Sequence, residues 1–234
     1  MRVLLYGRTA KNAEELVKKL GFQLVSSNPE VVISYGGDGT LLSTERRFPH
    51  IPKLPIRSSQ LYHKCSKHTD EVMLKRLLEG SLTLKEYKKL VTTILYKNFH
   101  ALNDFVIRNS DTIHSIRFKT SVTADRLLIG DGVVISTSWG SAGYFKSITG
   151  KSFSAGFGLA FNNTTEKISP IFFKDNHQVT VNLVRGKATL TFDNSPDIFV
   201  IDEGSKLVFS FSDQTAQIYN PETLRCRNCR LKEI

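Results

Sequence analysis

Apolar positions follow two rhythms along this chain, and the change falls near residue 81. Before it, short apolar runs alternate with helical spacing. Arg2-Val3-Leu4-Leu5-Tyr6 reads as a buried strand. In residues 12–20, Ala13, Leu16, Val17 and Leu20 share one helical face, with Asn12 and Glu15 spaced as a capping box and Gly21 placed to end the helix. Val31-Val32-Ile33-Ser34-Tyr35 is a second buried strand; Leu41 to Phe48 suit a helix, and residues 54–58 a third strand. Thr69-Asp70-Glu71 opens a helix that Gly80 closes. Strands joined by helical crossovers imply a parallel sheet.

From residue 81 the rhythm becomes that of strands. Val179–Val184, Ala188–Phe192 and Leu207–Phe211 are short alternating runs bounded by Gly, Asn, Asp or Pro. One helix is expected here, starting near Ser141. The predicted organisation is an α/β domain with a parallel sheet over residues 1–80 and a strand-rich domain over residues 81–234.

Charge adds one constraint. The 234 residues carry 32 basic and 22 acidic side chains, a net charge of +10, which favours anionic partners such as nucleotides. No apolar run approaches the length of a membrane span, and the N-terminus does not read as a signal peptide, so a cytoplasmic protein without a membrane partner is expected. No RNP, KH or helix-turn-helix pattern points to nucleic acid. Cys226-Arg227-Asn228-Cys229 has the CxxC spacing but is half of a four-ligand zinc set. Completion across a dimer interface and a redox pair are alternatives. The simplest reading is two incidental thiols, and no metal-ligand set is assigned from sequence.

The chemistry concentrates in Gly36-Gly37-Asp38-Gly39-Thr40, directly after a buried strand. A strand that ends in glycines and opens a helix brings bare backbone amides to a ligand, and phosphate oxygens suit them. The carboxyl ends of parallel strands are where open α/β sheets bind ligands. The pattern is neither Walker A nor GxGxxG. Asp38 among phosphate-binding amides fits either a proton acceptor for an attacking hydroxyl or a ligand to magnesium.

GGDGT in this setting resembles the signature shared by NAD kinases, diacylglycerol and sphingosine kinases and, as GGDGS, phosphofructokinases. Two later segments narrow the resemblance. Asn103-Asp104 before an apolar strand is similar to the NAD kinase Asn-acid motif. Because neighbours on a strand face opposite ways, a bend is needed if both touch one ligand. Gly130-Asp131-Gly132 through Ser136-Thr137, Gly140-Ser141 and Tyr144 resembles that family's GDG-to-Tyr block, with Ser138-Trp139 and Ala142-Gly143 replacing its Pro-Thr and Thr-Ala. The compact length resembles archaeal or minimal bacterial members, and the resemblance implies an α/β phosphate-binding domain over residues 1–80, with a Rossmann- or phosphofructokinase-like parallel sheet, and an all-β, sandwich-like, NAD-binding domain over residues 81–234.

The resemblance implies transfer of a phosphoryl group from ATP or polyphosphate to the 2′-hydroxyl of the adenosine ribose of NAD, with magnesium, in a homodimer or homotetramer. It implies Asp38 as the catalytic acid or base and Gly36, Gly37, Gly39 and Thr40 at the phosphates. Asn103, Asp104, Ala142, Tyr144 and Ser147 would bind the adenosine, and Asp131 the nicotinamide of a neighbouring subunit. A lipid kinase shares only the first motif. An NAD(P)-binding regulator without catalysis is a further alternative, motivated by two departures. The family's Gly-containing apolar loop is here Pro55-Ile56-Arg57-Ser58-Ser59-Gln60-Leu61, and its DGQ is Asp193-Asn194-Ser195.

Overall fold

The computed structural model describes residues 1–124 and 126–232. In chain order the strands are β1 Arg2–Tyr6, β2 Gln23–Leu24, β3 Val31–Tyr35, β4 Lys53–Ile56, β5 Tyr62–His63, β6 Leu84–Ile94, β7 Lys97–Ala101, β8 Asp104–Asn109, β9 Ile116–Thr120, β10 Leu128–Gly130, β11 Gly132–Thr137, β12 Phe157–Asn162, β13 Ile171–Phe173, β14 Gln178–Arg185, β15 Ala188–Phe192, β16 Phe199–Ile201, β17 Lys206–Tyr219 and β18 Arg230–Leu231. The helices are α1 Glu14–Lys19, α2 Asp38–Arg47, α3 Asp70–Leu78 and α4 Tyr144–Thr149. Two compact units form: Met1–Tyr87 with the chain from Thr215 onward, and Lys88–Gln214. The strand rhythm predicts one domain over residues 81–234. In the structure Thr215 onward groups with the first unit, because Ile218 of β17 pairs in parallel with Lys53 of β4.

In the first unit β1 lies between β2 and β3, and β3 pairs with β4, all in parallel. Val3, Val31, Ile33, Leu54 and Ile56 bury one apolar layer together with Val17 of α1 and Met73, Leu74 and Leu77 of α3. Thr69 caps α3 by accepting the Val72 amide, and Gly80 beyond its end has φ +64°. The expected capping box at Asn12 is absent. Residues Ala10–Ala13 wind as a 3₁₀ turn, and Ala13, which cannot cap, precedes α1. The strand expected over 54–58 ends at Ile56. Beyond it, the Ser58 carbonyl accepts the amides of Leu61 and Tyr62, turning the chain.

The second unit is a sandwich. One antiparallel sheet runs β10-β9-β14-β17 and the other β13-β12-β11-β8-β15-β16. Alternate residues of β8, β11 and β12 face opposite ways. Phe105, Ile107, Val133, Ile135, Phe157 and Leu159 enter the core between the sheets, where Phe105 meets Phe209 at a ring separation of 5.4 Å. Val106, Val134 and Ala160 face outward under Phe145 of α4. These three strands are therefore apolar on both faces, which explains their unbroken apolar runs. Among the described residues no helix is long and apolar enough to cross a membrane.

Candidate functional site

In the first unit the Gly-rich turn takes the end of β3 straight into α2. The helix starts at Asp38, three residues earlier than its apolar spacing predicts, with Gly37 extended at the N-cap. The predicted start at Leu41 missed this because glycines and Asp38 carry no apolar signal. The amides of Asp38 and Gly39 therefore lie in the first turn, where helix geometry provides them no internal acceptor. Gly36 is different. It is buried, and its amide donates to the Ile56 carbonyl at 2.8 Å, so it is not free for a phosphate. Its lack of a side chain serves packing: a Cβ there would lie 2.2 Å from Thr40 Oγ1.

The turn borders a cleft of about 510 Å³ lined by Leu5, Tyr6, Gly7, Arg8, Gly39, Thr40 and Ser43. It sits where the carboxyl end of parallel β1 meets the N-terminus of α2. Gly7 has φ +142°, and a Cβ there would strike the Tyr35 carbonyl at 2.2 Å. Arg8, exposed beside it, brings a guanidinium to the cleft. Arg8 is a further candidate that no sequence motif marks; its position just past the first buried strand is the signal that points to it. Asp38 is exposed at the first helical position. A solvent-facing carboxylate is the hard oxygen ligand that magnesium takes together with phosphate oxygens and water, so the residue fits that ion.

The loop after β4 closes on this turn. The Tyr35 hydroxyl shares a 2.7 Å hydrogen bond with Ser59, accepts the Ser59 amide and donates to Asp70 at 2.9 Å. Arg57 stacks on the Tyr62 ring at 4.4 Å. The Tyr62 hydroxyl is 3.3 Å from where a Gly37 Cβ would be. The departure at residues 55–61 thus leads directly into β5, whose Tyr62 reaches the Gly-rich turn.

In the second unit Asn103 occupies a bend, and Asp104 begins β8. Asp193 organises this bend. Its Oδ2 accepts the Leu102 amide at 2.6 Å, and its Oδ1 accepts those of Asn103 at 2.7 Å and Asp104 at 3.3 Å. Both Asp193 and Asn194 have positive φ, +46° and +51°, and Ser195 donates its amide to Phe192 at 2.7 Å, the signature of a type I′ turn. Asn tolerates the left-handed region. Asn194 can therefore hold the conformation where the resembled motif has glycine.

Burial raises both carboxyls. Asp104 is pushed up to about 7, with nearby Asp193 as the second cause. Asp193 rises to about 6, its burial opposed by its amide donors and by Lys89. Asp193 ionises first, because the three amides stabilise its charge.

The third motif meets the second at one point. Gly140 packs on Asn103 so closely that a Cβ would lie 2.3 Å from the Asn103 carbonyl. That carbonyl also accepts the Thr137 amide at 2.9 Å. Beyond this contact Ala142 is exposed, Tyr144 is half-buried on the α4 side of the sheet, and Ser147 is exposed with its hydroxyl donating to the Tyr144 carbonyl. Asp131 stands apart. Ser136 pairs with Asp104, and Asp131 lies five residues back along the strand, a separation of about 17 Å at ~3.4 Å per residue. It accepts the Asn163 side-chain amide at 2.9 Å. One chain does not bring Asp131 and Asn103 to the same nucleoside.

The fold and the turn define a class: an α/β unit with a strand–glycine–helix turn, built into a chain that also forms a β-sandwich. An NAD kinase from Archaeoglobus fulgidus, solved in complex with ATP, has this fold, with a TM-score of 0.75 over 96% of each chain at 19% identity. No protein-family model matches the sequence. Sequence relatives are closer. An NAD kinase of Limosilactobacillus reuteri is 31% identical over 197 residues, 75% of this chain and 73% of the relative. Another from Natranaerobius thermophilus is 29% identical over 203 residues, 73% and 68% respectively. The chain belongs to the NAD kinase family.

Proposed function

We propose that the protein transfers a phosphoryl group from ATP or polyphosphate to the 2′-hydroxyl of the adenosine ribose of NAD, forming NADP. The observation that carries this reading is the start of α2 at Asp38, with free first-turn amides beside Arg8, in a member of the NAD kinase family. The amides of Asp38 and Gly39 and the Arg8 guanidinium hold phosphate oxygens and take up charge as transfer proceeds. Asp38 accepts the proton leaving the attacking hydroxyl, or holds magnesium. Asp38 would hold magnesium, which would supply charge neutralisation.

The second unit supplies nucleoside recognition. Asn103 offers an amide, and Asp104 a carboxyl able to donate or accept near neutrality; Tyr144, Ala142 and Ser147 line the neighbouring turn and helix. The position of Asp131 at the far end of β11 supports service to a nucleotide on a second copy, in a homodimer or homotetramer. A cytoplasmic setting suits these substrates.

The test is an assay of the purified protein with NAD, magnesium and either ATP or polyphosphate, read as NADP formed. NADP from at least one donor is expected. NAD binding without turnover would favour the regulator, and activity on diacylglycerol instead would overturn the reading.

A further inference from the structure

Cys226 and Cys229 are not alone. The structure brings Cys65 and His68 to them, and the four side chains place one ligand atom each within 4.8 Å of one another. Cys65 Sγ lies 4.0 Å from Cys226 Sγ and 3.7 Å from Cys229 Sγ. His68 Nδ1 lies 3.3 Å from Cys65 Sγ and 3.5 Å from Cys229 Sγ. A tetrahedral zinc with Zn–S bonds of about 2.3 Å and a Zn–N bond of about 2.0–2.1 Å spaces its sulfurs about 3.8 Å apart and sulfur from nitrogen about 3.6 Å. A disulfide would bring two sulfurs to about 2.05 Å, and all three cysteines are free. We propose that Cys65, His68, Cys226 and Cys229 form a structural zinc site within a single chain.

The backbone is arranged for it. Each ligand pair spans one tight turn: the His68 amide donates to the Cys65 carbonyl at 3.0 Å, and the Cys229 amide to the Cys226 carbonyl at 3.2 Å. The two turns are joined by the antiparallel pair of β5 and β18, in which Arg230 faces His63 and Leu231 faces Tyr62. The Lys232 amide extends the pairing to the Leu61 carbonyl. Four protein ligands close the coordination shell, which marks a structural site rather than a catalytic one. Three thiolates and a divalent zinc leave one negative charge, and the ligand turns carry Lys67, Arg225, Arg227 and Arg230 to offset it.

The site has a purpose in this molecule. It ties the chain beyond Thr215 to the loop after β4, the same loop that sets Tyr62 against Gly37. Zinc thus fastens the segment by which this chain departs from its family's pattern, next to the proposed phosphate turn. The inference does not depend on which substrate that turn holds.

The experiment uses the untagged full chain, so that no added histidines bind metal. Elemental analysis is expected to find one zinc per chain, and cobalt added to the chelator-stripped protein is expected to give the visible bands of a tetrahedral thiolate complex. C226S and C229S are each expected to lose the metal. If either variant fails to fold, the cobalt spectrum of the unmodified protein still decides. Absence of zinc together with absence of the cobalt spectrum would overturn the site, as would a mass two protons short, signalling a disulfide. Hydrogen exchange in residues 58–64 should quicken on zinc removal; unchanged exchange would overturn the fastening role. None of these readouts depends on NADP formation.

Discussion

The Asp193 carboxylate accepts the Asn103 amide at 2.7 Å across ninety residues of sequence. Because it also accepts the amides of Leu102 and Asp104, one buried side chain sets the path of the bend that presents Asn103. Hydrogen bonds to a charged group are each worth about 1.5–3 kcal/mol. Asp193→Ala should therefore destabilise the protein by about 3 kcal/mol or more in urea unfolding and raise the KM for NAD. A loss under about 0.5 kcal/mol would show that the bend holds itself.

Asp38 and Arg8 should separate kinetically. Asp38→Asn is expected to lower kcat by about 10²–10⁴-fold, the usual worth of a positioned acid or base, while NAD still binds. Arg8→Ala, at an exposed position, should leave folding unchanged and raise the KM for ATP about tenfold, as expected for losing one charge-assisted contact. Steady-state kinetics with isothermal titration of NAD checks both. Near-normal turnover in Asp38→Asn would remove its catalytic role.

Stability should fall as pH rises through the acid range. Asp104 ionises near 3.8 when unfolded and near 7 when folded, so between those values the folded state holds the extra proton. The stability it contributes is complete below about pH 4 and is lost as pH climbs to about 7. Asp193, raised to about 6, acts with the same sign. Asp104→Asn should flatten the slope of melting temperature against pH between 4 and 7. An unchanged slope would mean that Asp104 is not the group responsible.

Lys53 and Glu45 form an ion pair in the first unit with side chains 0% and 3% exposed. Breaking such a pair on one side costs about 3–5 kcal/mol, whereas replacing both partners with apolar residues costs little. Lys53→Met should be strongly destabilising, and adding Glu45→Leu should recover most of the loss. A double-mutant cycle by denaturant unfolding measures it; additive losses would deny the coupling.

What the sequence reveals here depends on distance along the chain. β1, β3 and the Thr69 cap are legible because their signals are local: apolar runs, and a hydroxyl three residues before the amide it accepts. Gly36 to Thr40 is legible as a strand-to-helix turn for the same reason, although the buried amide of Gly36, spent on Ile56, is not. Asp193 reads only as a turn residue, since its partners lie about ninety positions away. Cys65 and His68 are invisible as ligands because Cys226 and Cys229 stand more than 150 residues further on. Arg8 carries no motif, and only the meeting of β1 with α2 gives it a role.

The return of the chain at Thr215 has a consequence for how the molecule is made. The sandwich is continuous in sequence and can complete itself without the residues beyond Gln214. The unit bearing Asp38 cannot, since its β4 edge gains its partner only when Ile218 has left the ribosome. A released chain truncated before Thr215 would keep a whole sandwich and an unfinished α/β unit. Chaperone demand should therefore fall on the α/β unit, whose β4 edge waits for Ile218.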